Sequence, residues 1–185
     1  MSELLIGCGN HRQKVLKLPD APDAWQDLVT LDIDPNCGAD IEWDLELLLR
    51  EPLPGESRFD EIHAYHVLEH TGQQGDYRWF FAQWADFWRL LKPGGHFFGI
   101  VPAPGSVWVW GDPGHTRFFA PELLTYLDQE QYRLQVGQTA FSDYRHLWRA
   151  DFELIQGAPV PGDPDQFFFV LKAHKPARPA REPDE

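Results

Sequence analysis

The residues near the start of the chain that could do chemistry are two glycines and an acid. Gly7 and Gly9 directly follow an apolar run, and Asp32 lies near the end of the next one, residues 29–33. A glycine turn lets backbone approach a ligand, and a carboxylate one strand over can accept hydrogen bonds from ribose hydroxyls. The Gly9–Asp32 spacing is close to the roughly 20 residues of a nucleotide-binding βαβ unit. Asp34 is the alternative to Asp32 for this role.

A second set of candidates comprises His66, Glu69 and His70, which match the H-x-x-E-H pattern of one class of zinc hydrolases. On one face of a helix, two such histidines could bind zinc while Glu69 acts as the base. Here the segment follows a predicted strand, so we predict no metal site. A place at a cofactor pocket fits these residues better, and a structural role is the other alternative.

A third set lies in the segment 103–118, which is rich in glycine and proline and is predicted to be a long irregular loop. Trp108, Trp110 and His115 are predicted to face a substrate, and anchoring of the loop is an equal alternative. Neutral imidazole can accept a proton near pH 7, so His66, His70 and His115 are candidate catalytic bases.

The elements that must position these residues alternate between apolar runs and breaks at glycine and proline. Predicted strands cover residues 4–6, 28–33, 39–43, 59–63 and 96–101, and a closing antiparallel pair covers 152–156 and 166–172. Predicted helices cover residues 11–18, 45–50, 76–91 and 121–128. The helix over 76–91 has a wide aromatic stripe on one face, which is typical of a helix packed on a sheet.

Length and composition limit the class of protein. The 185 residues predict one domain over 1–174 and a disordered proline-rich tail over 175–185. A net charge of −13 disfavours direct binding of nucleic acid, and without an apolar run of about 18 residues no membrane span is predicted. The two cysteines, Cys8 and Cys37, predict a reduced, cytoplasmic setting, with Cys8 a packing residue.

The order of these pieces resembles the class I S-adenosylmethionine-dependent methyltransferases, in particular small, phage-type members similar to methyltransferase type 11. A glycine motif, an acidic motif, a strand-four motif, the Leu-Lys-Pro-Gly-Gly turn and a segment after strand five carry the resemblance. In this chain they occupy residues 4–9, 31–35, 59–70, 91–95 and 114–123.

The resemblance implies an α/β, Rossmann-like sheet of seven mostly parallel strands in the order 3-2-1-4-5-7-6. Strand seven is then antiparallel, and the crossover helices of this chain are abbreviated. It also implies S-adenosyl-L-methionine as cofactor. The glycine turn would pass its amino-acid portion, Asp32 would hold the ribose, and His66 would lie beside the methionine. The implied cofactor-binding residues are Gly7, Cys8, Gly9, Asp32, Ile33, Asp44, Leu45 and His66.

The function implied is methyl transfer to an unidentified small-molecule or protein acceptor. Leu5 in place of an acid and His11 in place of a third glycine depart from the family pattern. Leu5 and the abbreviated crossover helices favour the alternative, a non-catalytic cofactor-binding or scaffold protein on the same fold. A zinc hydrolase is the third reading. The acceptor is expected to be large, or to be covered by the 103–118 loop or by the second subunit of a homodimer.

Overall fold

Seven strands form one mixed sheet, and the computed structural model describes residues 1–47, 52–53 and 55–179. The strands are β1 (Glu3–Ile6), β2 (Leu28–Asp32), β3 (Ile41–Glu42), β4 (Phe59–Tyr65), β5 (Leu91–Pro102), β6 (Phe152–Val160) and β7 (Asp163–Ala173). Their order is β3-β2-β1-β4-β5-β7-β6, and β7 is antiparallel to both neighbours. The other pairs are parallel, so the predicted Rossmann-like sheet is confirmed.

The parallel register brings the ends of the central strands to one edge. Ile6 of β1 lies opposite Leu31 of β2 and Ala64 of β4. On the other side of β4, Tyr65 lies opposite Ile100 of β5. The turns that follow these strands therefore open at the same edge, which is where open α/β sheets bind ligands.

One face of the sheet is covered by the helix α1 (Tyr77–Leu90), close to the predicted 76–91. Asp76 caps this helix, because its Oδ1 accepts a hydrogen bond from the Trp79 N–H at 3.0 Å. Trp84 is fully buried at the centre of the core, and its ring lies 4.9–6.2 Å from those of Phe97, Phe152 and Phe169. The aromatic stripe thus packs on β5, β6 and β7.

The opposite face of β1 and β4 is covered by extended chain. Residues 7–27, all of them described, form no helix, so the predicted helix over 11–18 is wrong. Lys14 of this segment is buried, with its Nζ 2.5 Å from Glu3 and 2.8 Å from Glu61. Two buried carboxylates on the strands require a cation above them, which an apolar helix face would not supply. The first crossover is therefore abbreviated, as predicted.

Helical segments elsewhere differ from prediction in their bounds. The loop 103–118 contains the single turn α2 (Trp108–Gly111), and α3 (Pro121–Thr125) ends before residue 128. Asp128 instead caps the unpredicted helix α4 (Gln129–Gln135), since its Oδ1 accepts from the Glu130 N–H at 2.8 Å. Of the predicted helix over 45–50, a 3₁₀ turn spans Leu45–Leu47, and residues 48–50 lie outside the described residues.

The described chain continues past the predicted domain boundary at residue 174. Within the predicted tail, the Arg178 side chain contacts Asp128 at 2.7 Å and Asp151 at 2.8 Å. Residues 175–179 are thus held against the domain, and residues 180–185 lie outside the described residues. Every helix in the described ranges is too short or too polar to cross a membrane.

Candidate functional site

The glycine turn after β1 is held against the end of β2. The Gly7 N–H donates to the Leu31 carbonyl at 2.8 Å, and the Gly9 N–H donates to Asp32 Oδ2 at 2.7 Å. The other carboxylate oxygen, Oδ1, accepts from the Asp34 N–H at 2.9 Å. The acid predicted to contact a ribose therefore also fixes the shape of the turn. Each of its oxygens still has a lone pair for a ligand hydroxyl.

Both glycines of the turn have left-handed backbones, with φ of 63° at Gly7 and 44° at Gly9. A Cβ on Gly7 would lie 2.0 Å from Cγ2 of Val67, so this position excludes any side chain. A Cβ on Gly9 would meet no atom within 4 Å. The turn therefore packs closely on the end of β4 at Gly7 and is open to a ligand at Gly9.

A cavity of about 340 Å³, called here the first cavity, opens beside the turn. Most of the predicted cofactor-binding residues line it, namely Gly7, Asp32, Ile33, Asp44, Leu45 and His66. The structure also brings Trp43, Glu46, Val67 and Thr71 to its wall. These four were missed because they belong to short connections whose path depends on tertiary contacts. Gly9 lies at the turn but outside the lining of the cavity.

Cys8 was predicted both to pass the cofactor and to pack, and the structure places it away from the first cavity. It is buried in a small cluster with Leu5 and Cys37 beneath the turn. Burial raises the pKa of the Cys8 thiol, and the neighbouring Cys37 and Asp32 raise it further. The protonated thiol is a poor nucleophile, so the geometry favours packing.

Asp32 and Asp34 have different surroundings. Asp32 lines the first cavity, whereas Asp34 does not, and its carboxylate accepts from the Asn36 backbone N–H at 2.8 Å. Between them, Ile33 is 62% exposed although it is apolar, and it forms part of the cavity wall. A carboxylate next to an accessible apolar side chain suits a ligand with a polar sugar and a flat apolar ring.

A second cavity of about 360 Å³ adjoins the first, and His66 and His70 line both. All three predicted catalytic histidines line the second cavity, since His115 reaches it from the loop after β5. The other residues on its wall are Glu69, Pro102, Trp108, Asp112, Asp163, Asp165 and Gln166. The last three come from the start of β7, which no local sequence signal connects with β4.

The three histidines are held in different ways. His66 Nε2 lies 3.1 Å from Gln166 Oε1, and its Nδ1 lies 3.5 Å from Glu69. The bond to Glu69 raises the pKa of His66 against the opposing effect of burial. His70 Nδ1 contacts a backbone carbonyl at 3.2 Å, and His115 Nδ1 contacts another at 2.7 Å.

The two loop tryptophans, predicted together to face a substrate, are separated by the structure. Trp108 lines the second cavity and is 58% exposed. Trp110 is 75% exposed and lies outside the cavity wall, with its ring 5.7 Å from that of Phe118. The turn α2 causes this difference, because residues two apart in a helix point in different directions.

The zinc-hydrolase pattern has a different backbone from the one that its chemistry requires. His66 is on a bend with a left-handed φ of 57°, and only Leu68–His70 form a helical turn, of the 3₁₀ type. His66 and His70 are therefore not successive residues on one face of an α-helix, and this finding argues against the zinc-hydrolase reading of the motif.

No protein-family model matches the chain, and no curated protein matches it. Solved structures of other proteins, in contrast, are similar to this chain. A SAM-dependent methyltransferase from Archaeoglobus fulgidus superposes with a TM-score of 0.52, at 15% identity over 92% of this chain and 85% of that chain. The N-methyltransferase NodS from Bradyrhizobium japonicum WM9, in complex with S-adenosyl-L-homocysteine, gives a TM-score of 0.54 at 17% identity.

The NodS match covers 93% of this chain and 77% of that chain. A third similar structure is the 1,6-didemethyltoxoflavin-N1-methyltransferase from Burkholderia thailandensis, with 1,6-didemethyltoxoflavin and S-adenosylhomocysteine bound. Its TM-score is 0.53, at 14% identity over 94% of this chain and 71% of that chain. Identities this low establish architecture alone, and on that basis the chain has the Rossmann-like fold of the class I S-adenosylmethionine-dependent methyltransferases.

Proposed function

We propose that the chain transfers a methyl group from S-adenosylmethionine, bound in the first cavity, to an acceptor bound in the second. The observation that carries the proposal is the contact of 2.7 Å between the Gly9 N–H and Asp32, whose side chain belongs to the wall of the first cavity. It supports a ribose site, because the carboxylate of Asp32 points at the open part of the turn. The second cavity supports an acceptor site, because His66 and His70 belong to both walls.

The first cavity fits the parts of this cofactor. Asp32 supplies acceptors for two ribose hydroxyls, and the exposed Ile33 and the side chain of Leu45 supply apolar surface for a purine ring. Asp44 adds an acceptor at the same end. When bound, the cofactor supplies a methyl group that is already activated on a sulfonium.

The task left to the protein is to hold the acceptor atom in line, at roughly 3–3.5 Å from that methyl group. A base is required only when the acceptor must lose a proton. The contact with Glu69 raises the pKa of His66, so its ring keeps a second proton to higher pH than a free imidazole does, which suits a hydrogen-bond donor better than a base. His115 is our choice of base, and His70 is the alternative, because both keep Nε2 clear of the backbone contacts that engage Nδ1.

The charge on the second cavity limits the chemical class of the acceptor. Four carboxylates line it, from Glu69, Asp112, Asp163 and Asp165, and the wall contains no lysine or arginine among the described residues. An anionic acceptor, including the phosphate backbone of a nucleic acid, would be repelled. We therefore propose an uncharged or cationic acceptor, either a small molecule or the side chain of a protein, partly covered by Trp108.

Calorimetric titration with S-adenosylmethionine and S-adenosylhomocysteine tests the cofactor assignment. Asp32→Asn keeps the shape of the side chain but removes its charge, and hydrogen bonds to a charged group contribute about 1.5–3 kcal/mol. We expect Asp32→Asn to bind at least about tenfold more weakly than wild type. Asp34→Asn is the matched control and should bind normally. Equal affinity in wild type and Asp32→Asn would remove the ribose assignment.

Turnover separates an enzyme from a scaffold on the same fold. The protein would be incubated with methyl-labelled cofactor and a panel of amines, phenols and proteins, and transfer of label would be measured. We expect His115→Ala to bind the cofactor as wild type does and to transfer methyl more slowly. Tight cofactor binding with no labelled product for any acceptor would favour the non-catalytic alternative.

A further inference from the structure

Three side chains of metal-ligand type meet on one side of the second cavity. Glu69, His70 and His115 each place one ligand atom within 4.8 Å of the others. Glu69 and His70 follow β4, whereas His115 comes from the loop after β5, so the fold rather than the local sequence brings them together. We propose that these three side chains bind a divalent transition-metal ion of the Zn²⁺ type.

The carboxylate of Glu69 is the first reason. The residue is 2% exposed, and its Oε1 faces His66 at 3.5 Å. The other oxygen, Oε2, is buried and has no hydrogen-bond partner among the described residues. A buried carboxylate oxygen without a partner is unfavourable, and coordination to a cation satisfies it.

The orientation of the two histidines is the second reason. His70 Nδ1 lies 3.2 Å from the Gly114 carbonyl, and His115 Nδ1 lies 2.7 Å from the Trp108 carbonyl. A carbonyl oxygen only accepts, so Nδ1 is the nitrogen that donates in each ring, and Nε2 is the nitrogen left to hold a metal ion. Metal-binding histidines are oriented in this way, with one ring nitrogen donating to a carbonyl and the other on the metal.

The donor set selects the kind of metal. Two imidazole nitrogens and one carboxylate suit zinc or iron, whereas magnesium and calcium prefer oxygen ligands. Bonds of about 2.0–2.2 Å place tetrahedral ligand atoms roughly 3.4 Å apart, so the cluster must contract slightly around the ion. His70 is exposed and can move to allow this. Three protein ligands leave a fourth position open to the second cavity.

Within the described part of the chain, two other clusters contain metal-ligand atoms at similar separations, but their groups are already engaged. In the cluster of Glu3, Glu61 and His63, Lys14 contacts both carboxylates. In the cluster of Cys8, Asp32 and Cys37, each oxygen of Asp32 accepts a backbone N–H. Neither contains an unpartnered carboxylate oxygen like that of Glu69.

The open coordination position suggests a role, which rests on the proposed methyl transfer. A metal-bound hydroxyl or thiol of the acceptor would lose its proton more easily, and His115 would then act as a ligand rather than as a base. The binding itself does not depend on this role. It is therefore tested without cofactor or acceptor, so that failure of the metal site and failure of methyl transfer give different results.

The experiment is titration of the metal-free protein with Zn²⁺ alone against a chromogenic chelator, with Co²⁺ absorption spectra to report the coordination number. We expect one tight site per chain with four- or five-coordinate Co²⁺. His70→Ala and His115→Ala should each lower the affinity at least about tenfold. Glu69→Gln should do the same, and circular dichroism would establish that each variant is folded.

Two controls separate this site from others. His174→Ala removes a histidine that is paired with Glu153 at 2.8 Å and lies outside the walls of both cavities. Cys37→Ser removes a thiol from the cysteine cluster. Both variants should bind Zn²⁺ as wild type does. Absence of saturable binding, an affinity unchanged in folded His70→Ala and His115→Ala, or a loss caused only by Cys37→Ser would each overturn the proposal.

Discussion

Replacing Lys14 by methionine tests the idea that a buried cation substitutes for the first crossover helix. The Lys14 side chain is 1% exposed, and those of Glu3 and Glu61 are 0% and 2% exposed. Burial lowers the pKa of Lys14, but the hydrogen bonds that its ammonium group donates to both carboxylates outweigh this effect and raise it. Methionine retains the volume and the apolar stem of lysine, so the substitution isolates the loss of the charge.

The expected cost follows from the two carboxylates that lose their partner. Removing one member of a buried ion pair costs about 3–5 kcal/mol. The protein can avoid part of that cost by binding a proton between Glu3 and Glu61, which lie within 4.8 Å of one another. At pH 7, protonating a carboxyl with an ordinary pKa of 4.5 costs about 3.4 kcal/mol. We therefore expect Lys14→Met to lower the free energy of unfolding by about 3–4 kcal/mol at pH 7.

The pH dependence gives a sharper test. Burial alone would raise the pKa of Glu61, but hydrogen bonds from His63 and Lys14 lower it to about 2. In wild type the stability that ionised Glu61 contributes through these hydrogen bonds is therefore complete above about pH 4.5 and is lost as the pH falls towards 2. In Lys14→Met a proton bound by the two carboxylates replaces the charge of Lys14. The difference in free energy of unfolding between wild type and Lys14→Met should therefore shrink by about 2 kcal/mol between pH 7 and pH 5.5.

Urea unfolding followed by tryptophan fluorescence at both pH values measures these quantities. Lys92→Met is the matched control, because Lys92 contacts Asp60 at 2.8 Å with 41% and 33% of the two side chains exposed. An exposed pair of this kind contributes under about 1 kcal/mol, so this variant should lose little. If Lys14→Met is no more destabilised than Lys92→Met, or if its deficit is independent of pH, the reasoning fails.

Unfolding measurements also test two other features. Gly7→Ala should lower the free energy of unfolding by about 3 kcal/mol or more, because φ is 63° and a Cβ would lie 2.0 Å from Val67. Gly9→Ala should lower it by about 1–2 kcal/mol, from backbone strain alone. Equal losses in the two would show that the Val67 contact is unimportant. Arg178→Ala should cost about 2 kcal/mol, since the fully buried Asp151 loses its cation. Unchanged stability would show that the contacts of Arg178 with Asp128 and Asp151 contribute nothing to the stability of the domain.

Much of the sheet could be predicted, because its signals are local. Apolar runs ended by glycine or proline fix the strands, and the motifs at residues 4–9 and 91–95 fix their order through the family resemblance. The aromatic period of α1 likewise predicts which face is buried, and Trp84 is at the centre of the core. These features depend on residues close together in the chain.

The rest depends on contacts between distant residues. A helix over residues 11–18 satisfies local propensity, but the two buried carboxylates from β1 and β4 select an extended segment that brings Lys14 over them. Gln166 reaches His66 across 100 positions of sequence, so no local pattern could place it at the second cavity. The neighbours of a site residue were therefore harder to predict than the residue itself.

The abbreviated crossover changes which groups hold the glycine turn after β1 in place. In a βαβ unit the helix after the turn fixes the backbone of the glycine loop. Here residues 7–27, all described, form no helix, and side chains hold the loop instead. Asp32 bonds the Gly9 N–H at 2.7 Å, and Arg12 donates to the carbonyl of Cys37 at 2.9 Å, tying the turn after β1 to the turn after β2. Because Asp32 both shapes the glycine turn and faces the first cavity, its substitution should disturb the turn together with the ribose contact. Arg12 lies outside the cavity wall, so its substitution should disturb the turn alone.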